Sequence, residues 1–237
     1  MENSTRKVFW AGDSTVQTND ITTYPQTGIG QVFSLYVKET VQIVNHAKNG
    51  RSTKSFLDEG RLDAIDKEIG EGDFLFIQFG HNDEKSEDPA RYTEPFSTFM
   101  DNLLIFIDTA RKHGANPVLI TPLERRCFID EKHLGIGAHS DYVAAMKQTA
   151  KKAHVPLVDL YSMSRNELKK AADLGSRQWY MYFEPNQYKN YMEGKQDNTH
   201  LRYEGAVLYA GLIAKGLCDL GGIYQSLLID EMGNYER

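Results

Sequence analysis

Five runs of apolar, β-prone residues punctuate the chain: VFWA at 8–11, VQIVNHA at 41–47, FLFIQF at 74–79, PVLIT at 117–121 and PLVDL at 156–160. Most are continuous rather than alternating, the pattern of strands covered on both faces. Stretches of helical period separate them. GQVFSLYVKE precedes the second run and RLDAIDKEIG the third. Thr93 to His113 reads as a long amphipathic helix, with Phe96, Phe99, Met100, Leu103, Leu104, Ile107 and Ala110 on one stripe and a Gly114 stop. Further helices are expected from about Ser140 to Ala153 and from near Tyr203 to near Leu220, with Gly221-Gly222 after the last. Strands that alternate with helices predict a three-layer α/β/α sandwich on a five-stranded parallel sheet. No repeat or linker-like shift divides residues 1–237, so a single domain is expected. The least regular segment is 178–198, QWYMYFEPNQYKNYMEGKQDN, rich in aromatics and amides.

Composition narrows the function classes. The formal net charge of −6 argues against nucleic acid or an anionic membrane surface as a partner, since both call for a basic face. The longest apolar runs, such as LLIFI at 103–107, are core-sized rather than membrane-spanning. The polar start MENSTRK carries no signal core, so the chain reads as cytoplasmic, or as extracellular if a leader has been trimmed. Cys127 and Cys218 lack metal-ligand spacing and read as buried or semi-buried thiols. Gly28-Ile29-Gly30 is too short for a dinucleotide fingerprint, and no phosphate-binding loop is present.

Four short motifs fall where an open α/β sheet places its ligands, just past strand ends or in the late loop. They are Gly12-Asp13-Ser14, Asn49-Gly50-Arg51-Ser52, Gly80-His81-Asn82-Asp83 and Asp197-Asn198-Thr199-His200. Each alone is weak, because Gly-Asp-Ser and Asn-Gly are common turn sequences. Together they supply the parts of serine-based acyl transfer. Ser14 offers a hydroxyl nucleophile that needs a base. His200 can be that base, and Asp197, three residues earlier, can hold its other ring nitrogen. An oxyanion needs donors fixed in advance: the Ser14 amide, the Gly50 amide and the Asn82 side chain qualify. Gly50 suits the role because a residue without a side chain lets its backbone approach a ligand closely.

In that order the blocks resemble those of the GDSL/SGNH hydrolases, and the resemblance spans residues 12–200. WAGDSTV, TGIGQ, NHAKNGRSTKSF, IQFGHND and DNTHLRYEGA are similar to the rhamnogalacturonan acetylesterase branch, in which threonine commonly follows the GDS block, as Thr15 does here. The resemblance implies a flavodoxin-like SGNH fold and Ser14, Asp197 and His200 as catalytic residues. It further implies an oxyanion hole of Ser14, Gly50 and Asn82, no metal or cofactor, and an acetylated oligosaccharide substrate from pectic rhamnogalacturonan. Another SGNH esterase (a xylan acetylesterase, lipase or thioesterase) and a non-catalytic carbohydrate-binding protein are the competing readings. Oligomeric state is not legible.

Neighbouring residues divide less cleanly. Asp13 and Asp83 read as scaffold, and Arg51 and Ser52 as shapers of the Gly50 loop. His81 reads equally as a substrate contact or as support behind the site. Arg125 and Arg126, in TPLERR, read as a solvated pair, with contact to an acidic sugar as the alternative. Trp179, Tyr180, Tyr182, Phe183, Tyr188 and Tyr191 read as local core in half or more of their members, with one or two, Trp179 foremost, facing sugar. His46, His113, His133, His139 and His154 read as structural or surface groups, without close acid partners in sequence.

Overall fold

In the computed structural model, which describes residues 5–230, the five expected runs form one parallel sheet. Its strands are β1 (Arg6–Gly12), β2 (Val41–Asn45), β3 (Phe74–Gln78), β4 (Asn116–Ile120) and β5 (Leu157–Val158), in the order β2-β1-β3-β4-β5. This is the flavodoxin-like 2-1-3-4-5 order, whose switch point lies between β1 and β3. Strand alternation explains why the runs are continuously apolar. Val8, Trp10, Phe74 and Phe76 enter one core layer; Phe9, Ala11, Leu75 and Ile77 enter the other. Trp10 stands edge-on to Phe76 and Phe33, with ring centroids 5.1 and 5.5 Å apart. Truncating a buried ring such as Phe76 to alanine would cost about 3–5 kcal/mol.

The helices cover both faces. On the Phe9 side lie α2 (Thr53–Asp58), α3 (Arg61–Asp66), α4 (Met100–Lys112) and α5 (Ser140–Ala153), which contribute Phe56, Ile65, Phe106 and Met146. The Trp10 side carries α1 (Ile29–Val32), α6 (Leu160–Ser176) and α7 (Tyr203–Leu220), which contribute Ile29, Leu168, Tyr209 and Ile213. The short α8 (Gly222–Gln225) follows α7.

Several expectations shift. The GQVFSLYVKE stretch condenses into α1 and a single 3-10 turn, Phe33–Leu35. The Thr93–His113 helix opens as a π-helical turn, Pro95–Phe99, before α4 begins. On its stripe Phe96 and Leu104 are exposed, and Phe106 is buried instead. PLVDL gives only a two-residue strand, because Asp159 caps α6 by accepting from the Ser162 N–H at 3.2 Å. Neither α6 nor the capped helix α2 is announced by the hydrophobic pattern.

The irregular segment is the largest correction. It holds β6 (Tyr180–Phe183), antiparallel to β7 (Lys195–Leu201), so Asp197 and His200 ride on a strand rather than a loop. Cys127 is exposed rather than buried, and Cys218 is half-buried.

Candidate active site

The first strand ends at Gly12, and Asp13 turns the chain. Its carbonyl accepts from Val16 and Gln17 at 3.2 and 3.1 Å. Its Oδ1 accepts from the Thr15 N–H at 2.9 Å and the Thr15 hydroxyl at 2.8 Å. Asp13 is therefore scaffold for the turn that presents Ser14, as expected. The TGIGQ segment buttresses this turn from behind. Ile29 N–H donates to the Thr15 carbonyl at 2.8 Å, and Thr27 N–H to the Leu201 carbonyl at 2.9 Å. The backbones lie so close that a Cβ on Gly28 would come within 2.1 Å of the Gln17 carbonyl oxygen. One segment thus locks the serine turn to the strand bearing His200.

That strand completes the arrangement. His200 Nε2 lies 3.0 Å from Ser14 Oγ, and His200 Nδ1 lies 2.7 Å from Asp197 Oδ2. Asp197 Oδ1 accepts from the Thr199 and His200 backbone N–H groups at 2.9 and 3.0 Å. One carboxylate oxygen shapes the local turn while the other faces the imidazole. Burial acts to raise the Asp197 carboxyl, but the hydrogen bonds and charge of His200 and the two backbone donors outweigh it and hold it well below the usual carboxylate range. Lys195 Nζ, 3.5 Å from Asp197 Oδ2, adds to the same side.

Gly50 and Asn82 converge on Ser14 from the ends of β2 and β3, and all three line one cleft. Among the described residues, no hydrogen bond takes up the backbone N–H of Ser14 or of Gly50. Asn82 Nδ2 donates to the Arg51 carbonyl at 3.0 Å, and its Oδ1 accepts from Arg91 Nη1 at 3.4 Å, which fixes the amide and leaves one N–H. The protein around Gly50 does not crowd it. A Cβ there would meet nothing nearer than 3.9 Å, but φ is +78°, a conformation that L side chains resist. Arg51 and Ser52 shape this loop as expected: Arg51 donates to the Asn49 carbonyl at 2.8 Å, and Ser52 caps α2.

His81 lines the cleft at 2% exposure, 3.3 Å from Asp13 Oδ2, yet neither ring nitrogen has a hydrogen-bond partner among the described residues. Burial, then the neighbouring His139, pushes its pKa down to about 4, so the ring is neutral at pH 7. Asp83 is scaffold: it accepts from the Thr53 N–H and the Thr93 hydroxyl, both at 3.0 Å, and burial raises its carboxyl to about 7.

The two arginines part company. Arg125 reaches the cleft, but its guanidinium already donates to Thr199 Oγ1, Glu84 at 3.1 Å and the His81 carbonyl at 3.3 Å. Arg126 is neither solvated nor at the cleft. Only 2% exposed, it donates to Asn198 Oδ1 at 2.7 Å, pairs with Asp173 and stacks on Tyr182. It braces β7 from behind.

Trp179 is not among the cleft-lining residues. Its ring packs edge-on against Tyr209 at 6.2 Å. Tyr180 and Phe183 are buried, so the core reading holds for these aromatics. The expectation that the remaining histidines lack close acid partners in sequence fails at His133, and two others meet acids distant in sequence, His113 reaching Asp66 at 2.9 Å. His133 contacts Asp130, three residues before it, at 2.8 Å on an exposed turn. Buried His139 meets Glu84 at 2.6 Å. Cleft residues not singled out from the sequence are Asn49, Lys85, Arg91 and Thr199; Asn49 and Thr199 lie within two of the four motifs, and Lys85 lies three residues past Asn82. Among the described residues, no group of three or more His, Cys, Asp or Glu is placed to hold a metal ion, and no helix is long and apolar enough to cross a membrane.

A serine–histidine–aspartate line at the switch point of a 2-1-3-4-5 sheet defines a serine hydrolase of the SGNH type. Residues 11–205 match the GDSL-like Lipase/Acylhydrolase family, and the chain belongs to that family. It is 42% identical over 227 residues, 96% of each chain, to the rhamnogalacturonan acetylesterase RhgT of Bacillus subtilis. It is also 42% identical over 214 residues to the probable rhamnogalacturonan acetylesterase YesY of the same organism, covering 90% of this chain and 93% of that one. Among solved structures, Bacillus subtilis YxiM superposes with a TM-score of 0.78 at 26% identity, covering 91% of this chain and 57% of that one. An acetyl xylan esterase from Geobacillus stearothermophilus shares the fold, with a TM-score of 0.62 at 14% identity over 90% of this chain and 94% of that one.

Proposed function

We propose that this chain is a carbohydrate O-acetylesterase that removes acetyl groups from pectic rhamnogalacturonan fragments through an acetyl-Ser14 intermediate. The observation that carries the reading is the line Asp197–His200–Ser14, closed at 2.7 and 3.0 Å at a cleft with unused donors. The named activity of relatives 42% identical over at least 90% of this chain supplies the acyl group and its carrier. The cleft beside Ser14 is about 120 Å³, well below the roughly 300–1,000 Å³ of pockets that enclose drug-sized ligands. That favours a short acyl group on an outlying polar carrier over a fatty chain.

The residues divide the work by atom. Asp197 Oδ2 keeps the proton on His200 Nδ1, which leaves Nε2 as acceptor. Its 3.0 Å separation from Ser14 Oγ lies within the reach of about 2.6–3.2 Å that a general base needs. Nε2 takes the Ser14 proton as Oγ attacks the acetyl carbonyl carbon. The N–H groups of Ser14 and Gly50 and the free N–H of Asn82 receive the oxyanion. Collapse breaks the ester bond, and His200 returns the proton to the departing sugar oxygen. A water, deprotonated by the same Nε2, then attacks acetyl-Ser14, and acetate leaves as Ser14 regains its proton. Asp197 stays ionised throughout and stabilises the imidazolium. One domain carries every part, and the two unpaired cysteines fit a reducing compartment.

The test is acetate release from acetylated rhamnogalacturonan, xylan and homogalacturonan fragments by wild-type and folded Ser14→Ala protein. Rhamnogalacturonan should be the best substrate, and the variant should be inactive on all three. A clear preference for xylan would overturn the assigned carrier, and an active variant would overturn the assigned nucleophile.

A further inference from the structure

His139 takes no part in the chemistry described above, yet the fold holds it at a cost. It stands just before α5 with φ at +64°, in the left-handed region that L side chains other than glycine enter reluctantly. Its imidazole is fully buried, and Nε2 has no hydrogen-bond partner among the described residues. A left-handed backbone and an unpaired buried nitrogen are both unfavourable, and such features persist where the surrounding structure imposes them, most often at functional sites. His139 is not among the cleft-lining residues, so it acts on the site only through others.

Its contacts form a chain. Nδ1 donates to Glu84 Oε2 at 2.6 Å. The other carboxylate oxygen, Oε1, accepts from Arg125 Nη2 at 3.1 Å. Arg125 Nη1 donates to Thr199 Oγ1, and Nη2 donates to the His81 carbonyl at 3.3 Å. Thr199 precedes His200 on β7, and His81 precedes Asn82 beyond β3. The guanidinium therefore spans from the strand of the base to the loop of the oxyanion amide. Burial acts to raise the Glu84 carboxyl, but the hydrogen bond and charge of His139, then the charges of Arg125 and His81, outweigh it and hold it low. The His139 ring also lies against that of His81, with centroids 4.3 Å apart.

We propose that His139 is a positioning residue for ester hydrolysis: through Glu84 it fixes the Arg125 guanidinium, which holds His200 and Asn82 in register across the cleft. This role rests on the esterase reading, which assigns the base to His200 and an oxyanion donor to Asn82. Register matters because the two groups come from different elements, and a misplacement of about 1 Å can cost on the order of 10²-fold in rate. Packing of the ring on His81 is the competing explanation, and asparagine separates the two. Its Nδ2 can take the place of the imidazole Nδ1 as donor to Glu84, and it enters the left-handed region readily, but it has no ring to lay against His81.

The experiment is steady-state hydrolysis of p-nitrophenyl acetate, a small neutral ester, so that no sugar contact enters. Wild type is compared with His139→Ala, His139→Asn and Glu84→Met, each at a temperature where calorimetry shows it folded. His139→Ala should lower kcat about tenfold or more and leave KM within about twofold, because the loss falls on the transition state rather than on ground-state binding. His139→Asn should stay within about threefold of wild type, since it keeps the bond to Glu84. Glu84→Met breaks the chain without touching the strained backbone and should match the alanine variant. Adding Arg125→Met to His139→Ala should cost no more than the larger single loss, as for residues that act as a unit. A Glu84→Met protein with wild-type kcat, an asparagine variant as slow as the alanine one, losses carried by KM, or losses that multiply in the double variant would overturn the positioning role while leaving an active esterase. Wild-type protein inert toward the ester would overturn the esterase reading itself, and the positioning role with it.

Discussion

Replacing Arg126 with methionine should unsettle the strand that carries Asp197 and His200. The arginine residue is 2% exposed, and its side chain satisfies four acceptors. Nη1 donates to Asn198 Oδ1 at 2.7 Å, Nε to Ser176 Oγ at 3.1 Å, and Nη2 to the carbonyl of Asp173 at 3.0 Å and to its carboxylate. Methionine approximates the aliphatic stem and the packing on Tyr182 but returns none of these bonds. Removing one partner of a buried ion pair costs roughly 3–5 kcal/mol. Asp173 keeps Arg177 at 2.6 Å and is 16% exposed, which places the loss near the lower end. About 3 kcal/mol is a large part of a total stability of roughly 5–15 kcal/mol. For a chain of this size it corresponds to roughly 6–12 °C in melting temperature. Differential scanning calorimetry reads that shift directly. Acetate release at 20 °C, where the variant is folded, should also fall about tenfold or more, because an ångström-scale displacement of Asn198 carries its neighbours with it. Arg126→Lys should lie between, since an ammonium keeps the charge but not the fork. A methionine variant that melts within about 2 °C of wild type and retains full activity would refute the brace.

Three further outcomes follow from the same geometry. Asp197→Asn should lower kcat by roughly 10⁴-fold and His200→Ala by about 10⁶-fold, since the acid orients the base while the base moves the proton; equal losses in folded variants would make Asp197 more than an orienting group. Gly50→Asn should retain more activity than Gly50→Ala in steady-state assays, because φ is +78° and asparagine enters the left-handed region more readily than alanine; the reverse order would show that open space, not backbone angle, governs the site. For His81, whose folded pKa is depressed to about 4, the unfolded chain binds the proton first, so its contribution to stability is complete above pH 6.5 and is lost as pH falls toward 4. His81→Asn should therefore reduce the pH dependence of urea unfolding in that window by one proton, about 1.4 kcal/mol per pH unit, and an unchanged slope would place the titration elsewhere.

The fold was readable because a doubly covered sheet writes itself as unbroken apolar runs, and β3, buried at all five positions, is the plainest case. Ser14, Gly50 and Asn82 were readable because they sit just beyond three of those runs. Helix α6 was not, because its buried positions are Leu160, Ser164, Leu168 and Ser176, and two serines interrupt the stripe that would have revealed it. Strand β7 hid for a related reason. Only Leu201 of KQDNTHL is buried, so its pairing with β6 has no alternating signature. Arg126 looked like half of a surface pair because its counter-ion, Asp173, comes 47 residues later. Burial of a charge is decided by such distant partners, and local pattern carries no trace of them.

The most direct test of the central claim is a fluorophosphonate probe followed by peptide mass mapping. A single adduct should form on Ser14, with loss of esterase activity in proportion to labelling and little labelling in the His200→Ala protein. Full activity after labelling of Ser14, or inactivation with the adduct on another residue, would contradict the assignment.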